Sequence, residues 1–243
     1  MSPDLSILLF TAASIGFIHT LTGPDHYLPF IVMSKAKNWN MSKTLWITFL
    51  CGLGHVGSSI VIGIIGIALG LGVKKLEIFE AYRGNIAAWL FIIFGFMYFV
   101  WGIWKAAKGK THRHIHLNNS GKIFAHNHGH KHKLKDVDIY QQPDEEQKPI
   151  NVTPWVLFTI FVLGPCEPLV PMLMYPAAKT HISWVILVAA VFAVGTITTM
   201  MVIVTLTMKG INFLPMKAIE KYMHALAGAA ICLSGCAIVF LGL

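Results

Sequence analysis

Long apolar runs at about 5–33, 44–73, 85–104, 154–178, 182–208 and 222–243 dominate the pattern of hydrophobic and polar positions along the chain. Each accommodates the roughly 20 helical residues that cross a hydrocarbon core of about 30 Å. Backbone N–H and C=O groups find no water at that depth, so such runs must satisfy their own hydrogen bonds and are expected to be helices. The pattern predicts an all-α membrane protein with six transmembrane helices. A polar stretch from about Lys105 to Thr153 divides it into residues 1–107, a linker at 108–153 and residues 154–243.

Composition strengthens this picture. Only 12% of residues are charged and 55% are hydrophobic, with a mean hydropathy of +0.64, against about 25% charged in soluble domains. No room remains for a separate soluble catalytic domain, and the chain is not expected to be an enzyme. The net charge of +8 would raise nucleic acid as a partner, but the cations sit between apolar runs rather than on one amphipathic face. They read as topology signals, with lipid as the surrounding partner and no nucleic acid.

Lys35, Lys37 and Lys43 follow the first run, nine more cations lie between the third and fourth, and Lys209, Lys217 and Lys221 follow the fifth. The other side holds Lys74, Lys75, Arg83 and Lys179, accompanied in their loop by Glu77 and Glu80. The positive-inside rule then places both termini outside and the linker in the cytoplasm of a cell inner or plasma membrane. The first run lacks a basic n-region and a small-residue cleavage site, so it is expected to be retained as a helix.

Three spans in each half mean that the second half enters the membrane from the opposite side. The first run carries Gly23-Pro24-Asp25-His26-Tyr27-Leu28-Pro29 and the fourth carries Gly164-Pro165-Cys166-Glu167-Pro168-Leu169-Val170-Pro171. Less distinctively, Gly54-His55-Val56-Gly57-Ser58-Ser59 in the second run faces Gly195-Thr196-Ile197-Thr198-Thr199 in the fifth. These pairs predict two inverted three-helix repeats with helices 1 and 4 broken, and Thr196, Thr198 and Thr199 as polar lining.

Pro24 cannot donate to the carbonyl of Thr20, and Pro165 is placed alike, so each helix should unwind at a cost of about 3 kcal/mol. Unwound backbone is tolerated at membrane depth only where it is buried in protein or lines a wet cavity, as in broken-helix ion sites. Beside the first break lie His19, Asp25 and His26, beside the second Cys166 and Glu167, and His55 can approach from the second run. A carboxylate at mid-membrane costs about 2.5–3.5 kcal/mol on insertion scales, which calls for a functional reason. Imidazole, carboxylate and thiol together suit a divalent transition metal, the identity left open by the mixed donor set.

The linker adds His112, His114 and His116, then His126, His128, His130 and His132. It is expected to be a mobile segment and a weak secondary metal-binding tract. Cys51, Cys232 and Cys236 lie in apolar runs without polar neighbours and read as packing thiols.

With these motifs the chain resembles the nickel/cobalt transporter superfamily, particularly its NicO-type efflux branch and the UreH-like urease accessory membrane proteins. There a first-helix His, a short spacer and Asp-His supply metal ligands, matched here by His19, Asp25 and His26; the Gly54-His55 pair is also similar. The spacer here is five residues and contains Gly-Pro, against four in the nickel permeases. The resemblance therefore implies handling of nickel, cobalt or a related ion (zinc, iron or manganese) as substrate, with the His-rich linker favouring efflux. The Pro-flanked Cys166 is also similar to that of CcdA- and DsbD-type thiol electron carriers, although Asp25 stands where those carry their second cysteine. A membrane accessory protein that binds metal without moving it is a third reading, and homo-oligomerisation is left open.

Overall fold

The computed structural model describes residues 3–108, 113–117, 123–127, 153–178, 182–211 and 220–241. The apolar runs are helical, as their length requires. The first is α1 (Pro3–Thr22), a 3-10 turn (Pro24–His26) and α2 (Leu28–Ala36), followed by α3 (Met41–Ala68) and α4 (Val73–Ala107). The second half comprises α5 (Thr153–Leu163), α6 (Leu169–Ala178), α7 (Ile182–Ile211), a 3-10 turn (Glu220–Tyr222) and α8 (Met223–Leu241). Five of these helices, α1, α3, α4, α7 and α8, are long and apolar enough to cross a membrane. The run at 154–178 is instead divided into α5 and α6, neither of which reaches that length alone.

Local chemistry sets the helix ends. Asn40 caps α3, its side chain accepting from the Lys43 N–H at 2.8 Å, which satisfies one of the donors a first turn leaves orphaned. At the other end Gly70 takes φ +63°, and the Leu71 N–H reaches the Gly66 carbonyl at 2.9 Å; glycine adopts that left-handed position without steric cost.

The linker is not wholly irregular. β1 (Arg113–Leu117) and β2 (Ile123–Asn127) pair as an antiparallel hairpin, with His114 opposite His126. His116 lies on β1, while His112, His128, His130 and His132 fall outside the described residues.

One sequence expectation is corrected. Glu80 and Arg83 are not in a loop: α4 begins at Val73, and both side chains are buried. Their mutual neutralisation, one turn apart on the same helix, is what hydropathy alone does not register.

The helices pack chiefly as α4 along α8, α1 against α7, α3 against α5 and α7, and α2 against α8. The α4–α8 pair is held close by glycine. A Cβ at Gly95 would run into the Cys232 backbone, one at Gly102 into Ala225, one at Gly228 into Phe99 and one at Gly235 into Ala88. This is the small-residue contact by which helices associate in lipid, where apolar burial supplies no drive. Phe10, Trp155, Ile182, Leu206 and Phe240 face outward, as a lipid-facing surface requires.

Inside, Phe30, Met33, Cys51, Leu157, Phe161, Met200 and Ile231 belong to one buried cluster. Val56, Cys166, Leu169, Leu173, Val188 and Phe192 belong to a second. Both helix interruptions, at 23–27 and 164–168, lie among these buried residues and border a common cavity of about 450 Å³.

Candidate metal centre

The α1 helix stops where proline makes it stop. The Gly23 N–H still reaches the His19 carbonyl at 3.0 Å, but Pro24 has no N–H to continue the ladder, and the chain turns through Pro24–His26 before restarting as α2. That turn carries His26 beneath His19 at the end of α1, while His55 comes in from the middle of α3. The ring centroids of His19 and His26 lie 4.8 Å apart and those of His26 and His55 5.0 Å apart, both edge-on. One ring nitrogen from each lies within 4.8 Å of the other two; among the described residues no other group of three or more His, Cys, Asp or Glu side chains approaches so closely.

The hydrogen bonds assign the lone pairs. Nδ1 of His26 faces two acceptors, the Gly23 carbonyl at 3.1 Å and the Asp25 carboxylate at 3.2 Å, so the proton sits on Nδ1 and Nε2 keeps its lone pair. Nε2 of His19, of His26 and of His55 are all buried, and none has a hydrogen-bond partner among the described residues. A buried polar atom left unpaired costs about 1–3 kcal/mol, and three neighbouring ones are chemically coherent as a set of metal ligands. Imidazoles about 2.0–2.1 Å from an ion stand roughly 3.0–3.4 Å apart, so ring nitrogens as far apart as 4.8 Å must approach by about 1.4–1.8 Å to close on one.

The expected ligand set is thereby divided. His19, His26 and His55 converge. Asp25 lies behind His26 and orients it, the carboxylate–histidine arrangement that raises ligand basicity and fixes the ring. Glu167 is exposed and lines the same cavity with Thr22 and Asn85. Cys166 is fully buried in the second core cluster and does not join the histidines. Thr196 is buried against Gly16, Thr199 donates to the Gly195 carbonyl, and Thr198 borders a separate groove with Phe49 and Met201. None of the three lines the histidine cavity. All four cysteines are free thiols, with Cys51 and Cys166 in different core clusters.

Sequence reasoning missed the charged pair beside this site. Arg83 Nη1 donates to Glu80 at 2.7 Å and Nη2 to Ser58 and Ser59 at 2.9 and 3.2 Å. The same guanidinium donates to the carbonyls of Leu163 at 3.1 Å and Gly164 at 2.7 Å. Glu80 accepts from the Ser59 hydroxyl at 3.0 Å and the Cys166 N–H at 3.3 Å. Opposite charges three residues apart beside the apolar Leu76, Ile78 and Phe79 were the available signal. Comparison with known protein families, curated proteins and solved structures found no match.

Proposed function

We propose that this protein carries a divalent transition metal ion across a membrane, holding it between the helix interruptions on His19, His26 and His55. One observation carries the reading: three buried imidazole Nε2 atoms in one cluster lack a hydrogen-bond partner among the described residues. The resemblance to the nickel/cobalt transporter superfamily, with nickel or cobalt as cargo and efflux as direction, agrees with that donor set. Neutral imidazole binds nickel, cobalt, zinc, copper and iron by the same lone pair, so the ligands define the ion's class and the transport assay its identity.

In this reading α5 and α6 together form the sixth span, interrupted at 164–168 as the first is at 23–27. Exchanging α1, α2, α3 and α4 with α5, α6, α7 and α8 turns the α1–α7 contact into α5–α3 and the α2–α8 contact into α6–α4, each present in the fold. That exchange, together with the paired Gly-Pro breaks, supports two inverted repeats. The cation asymmetry supports outward termini and a cytoplasmic linker, more strongly once Glu80 and Arg83 leave the loop count.

Transport then follows from the residues. Asp25 and the Gly23 carbonyl hold His26 as the Nδ1–H tautomer, so Nε2 is offered without a proton having to leave it. The ion exchanges water for imidazole as the three rings close. Rocking of one repeat on the other, across the α1–α7 and α3–α5 contacts, would present the site to each side in turn. Glu167, Asn85 and Thr22 give the cavity polar groups through which a partly hydrated ion reaches the histidines.

Purified protein in proteoliposomes, assayed with nickel, cobalt, zinc, iron and manganese, tests the reading. Saturable flux of one or more of these ions that vanishes in His26→Ala supports a carrier. Stoichiometric binding without flux supports the accessory reading, and the absence of both refutes the metal assignment.

A further inference from the structure

The second interruption contributes no histidine, yet it is tied by charge on both sides. Arg83 donates to the Leu163 and Gly164 carbonyls, which close α5 and have no helical N–H to receive. Glu80, one turn earlier on α4, accepts from the Cys166 N–H at 3.3 Å, and the Ser59 hydroxyl accepts the same N–H at 3.1 Å. A cation thus sits at the carbonyl end of one half-helix and an anion at the N–H side leading into the next, each matched to the local backbone dipole. Both are buried, and they satisfy one another at 2.7 Å.

The same segment touches the histidine cluster. A Cβ on Gly164 would stand 3.2 Å from His55 Nδ1, so backbone held by Arg83 lies directly against the ring. On the other flank a Cβ on Gly84, the residue after Arg83, would stand 2.7 Å from the Pro165 ring. The α4 helix therefore grips Leu163, Gly164, Pro165 and Cys166 in succession.

We propose that Glu80 and Arg83 are positioning residues: an ionic splice that holds the chain open at 163–166 and, through Gly164, sets the His55 ring for the triad. The inference rests on the triad being a metal site, and its consequences separate from that reading. Losing the splice releases Cys166, whose N–H it holds, as well as slackening His55.

The test uses the full-length protein in lipid nanodiscs with Cys51, Cys232 and Cys236 changed to Ala, leaving Cys166 as the reporter thiol. Its alkylation rate by a maleimide and the affinity for Co²⁺ are measured together. Arg83→Lys keeps the charge but replaces the planar fork with a single ammonium, which cannot reproduce the Nε and Nη2 geometry. Alkylation is expected to rise, and Co²⁺ affinity to fall, by about tenfold or more, the usual scale for groups supporting a metal ligand. Should that variant not fold, the paired change Glu80→Gln/Arg83→Gln leaves no stranded charge and is expected to do the same. Gly164→Ala, which crowds His55 while sparing the splice, should lower Co²⁺ affinity with Cys166 still protected.

A folded splice variant with wild-type alkylation overturns the proposal, as does one that frees Cys166 while Co²⁺ affinity stays unchanged. If the wild type binds no Co²⁺, the positioning role falls with the metal site, whereas a rise in alkylation still identifies the splice as what holds the break.

Discussion

Gly23→Ala isolates the histidine geometry from the backbone. Gly23 has φ −89° and ψ 96°, a region open to any L-residue, so alanine meets no conformational penalty there. Its Cβ would, however, stand 2.6 Å from His26 Nδ1 and 2.9 Å from both His26 Cε1 and the Asp25 carboxylate. Non-bonded heavy atoms settle at about 3.5–4.0 Å, so the His26 ring must retreat by about 1 Å, losing its hydrogen bond to the Gly23 carbonyl or to Asp25. Metal–ligand distances tolerate about 0.2 Å. The expected cost is the 10- to 100-fold typical of a disturbed supporting shell, or about 1.4–2.7 kcal/mol of binding energy. Isothermal titration of nickel or cobalt into purified protein reads this directly. Gly57→Ala is the control: it lies on the same helix as His55, and an added Cβ there has nothing within 4 Å. Wild-type affinity in Gly23→Ala, or an equal loss in Gly57→Ala, would refute the reasoning.

Other consequences follow from the same structure. Asp25→Asn preserves size but removes the carboxylate that faces His26 Nδ1, and metal affinity is expected to drop by about 10-fold or more while the protein stays inserted, as read by titration and size-exclusion chromatography. Because protons compete with metal for imidazole lone pairs, metal affinity is expected to fall as the medium is acidified; equilibrium dialysis at a neutral and an acidic pH checks the sign. Gly228→Ala, which places a methyl against the Phe99 backbone, should destabilise the α4–α8 pair by about 1–3 kcal/mol, visible as a lower thermal midpoint in detergent. Deleting residues 112–132 should alter metal tolerance in cells but leave the turnover of reconstituted protein largely intact, and a complete loss of flux would place the linker on the pathway.

How far the sequence could be read depended on which force decided each feature. The helical core was legible because lipid leaves the backbone little choice, and the two interruptions were legible because proline removes a donor wherever it stands. His19, His26 and His55 could be grouped from helix register and the Gly-Pro break. The division of labour around them could not. Asp25 follows a turn that swings its carboxylate to Nδ1 of its neighbour, and no spacing rule distinguishes that from direct ligation. Cys166 is directed into the core by the tertiary ties of the second break, while Glu167 beside it reaches the cavity. Glu80 and Arg83 were misplaced because a hydropathy reading counts charges singly, whereas the fold buries them as a neutral pair with four further oxygen partners, on α3, on α5 and in the break itself.

The most direct test is metal flux into or out of proteoliposomes for wild type beside His19→Ala, His26→Ala and His55→Ala. The account predicts saturable flux in the wild type and its loss in every one of the three, with each variant still monodisperse and inserted. Flux at the wild-type rate in any of them would contradict the three-histidine site.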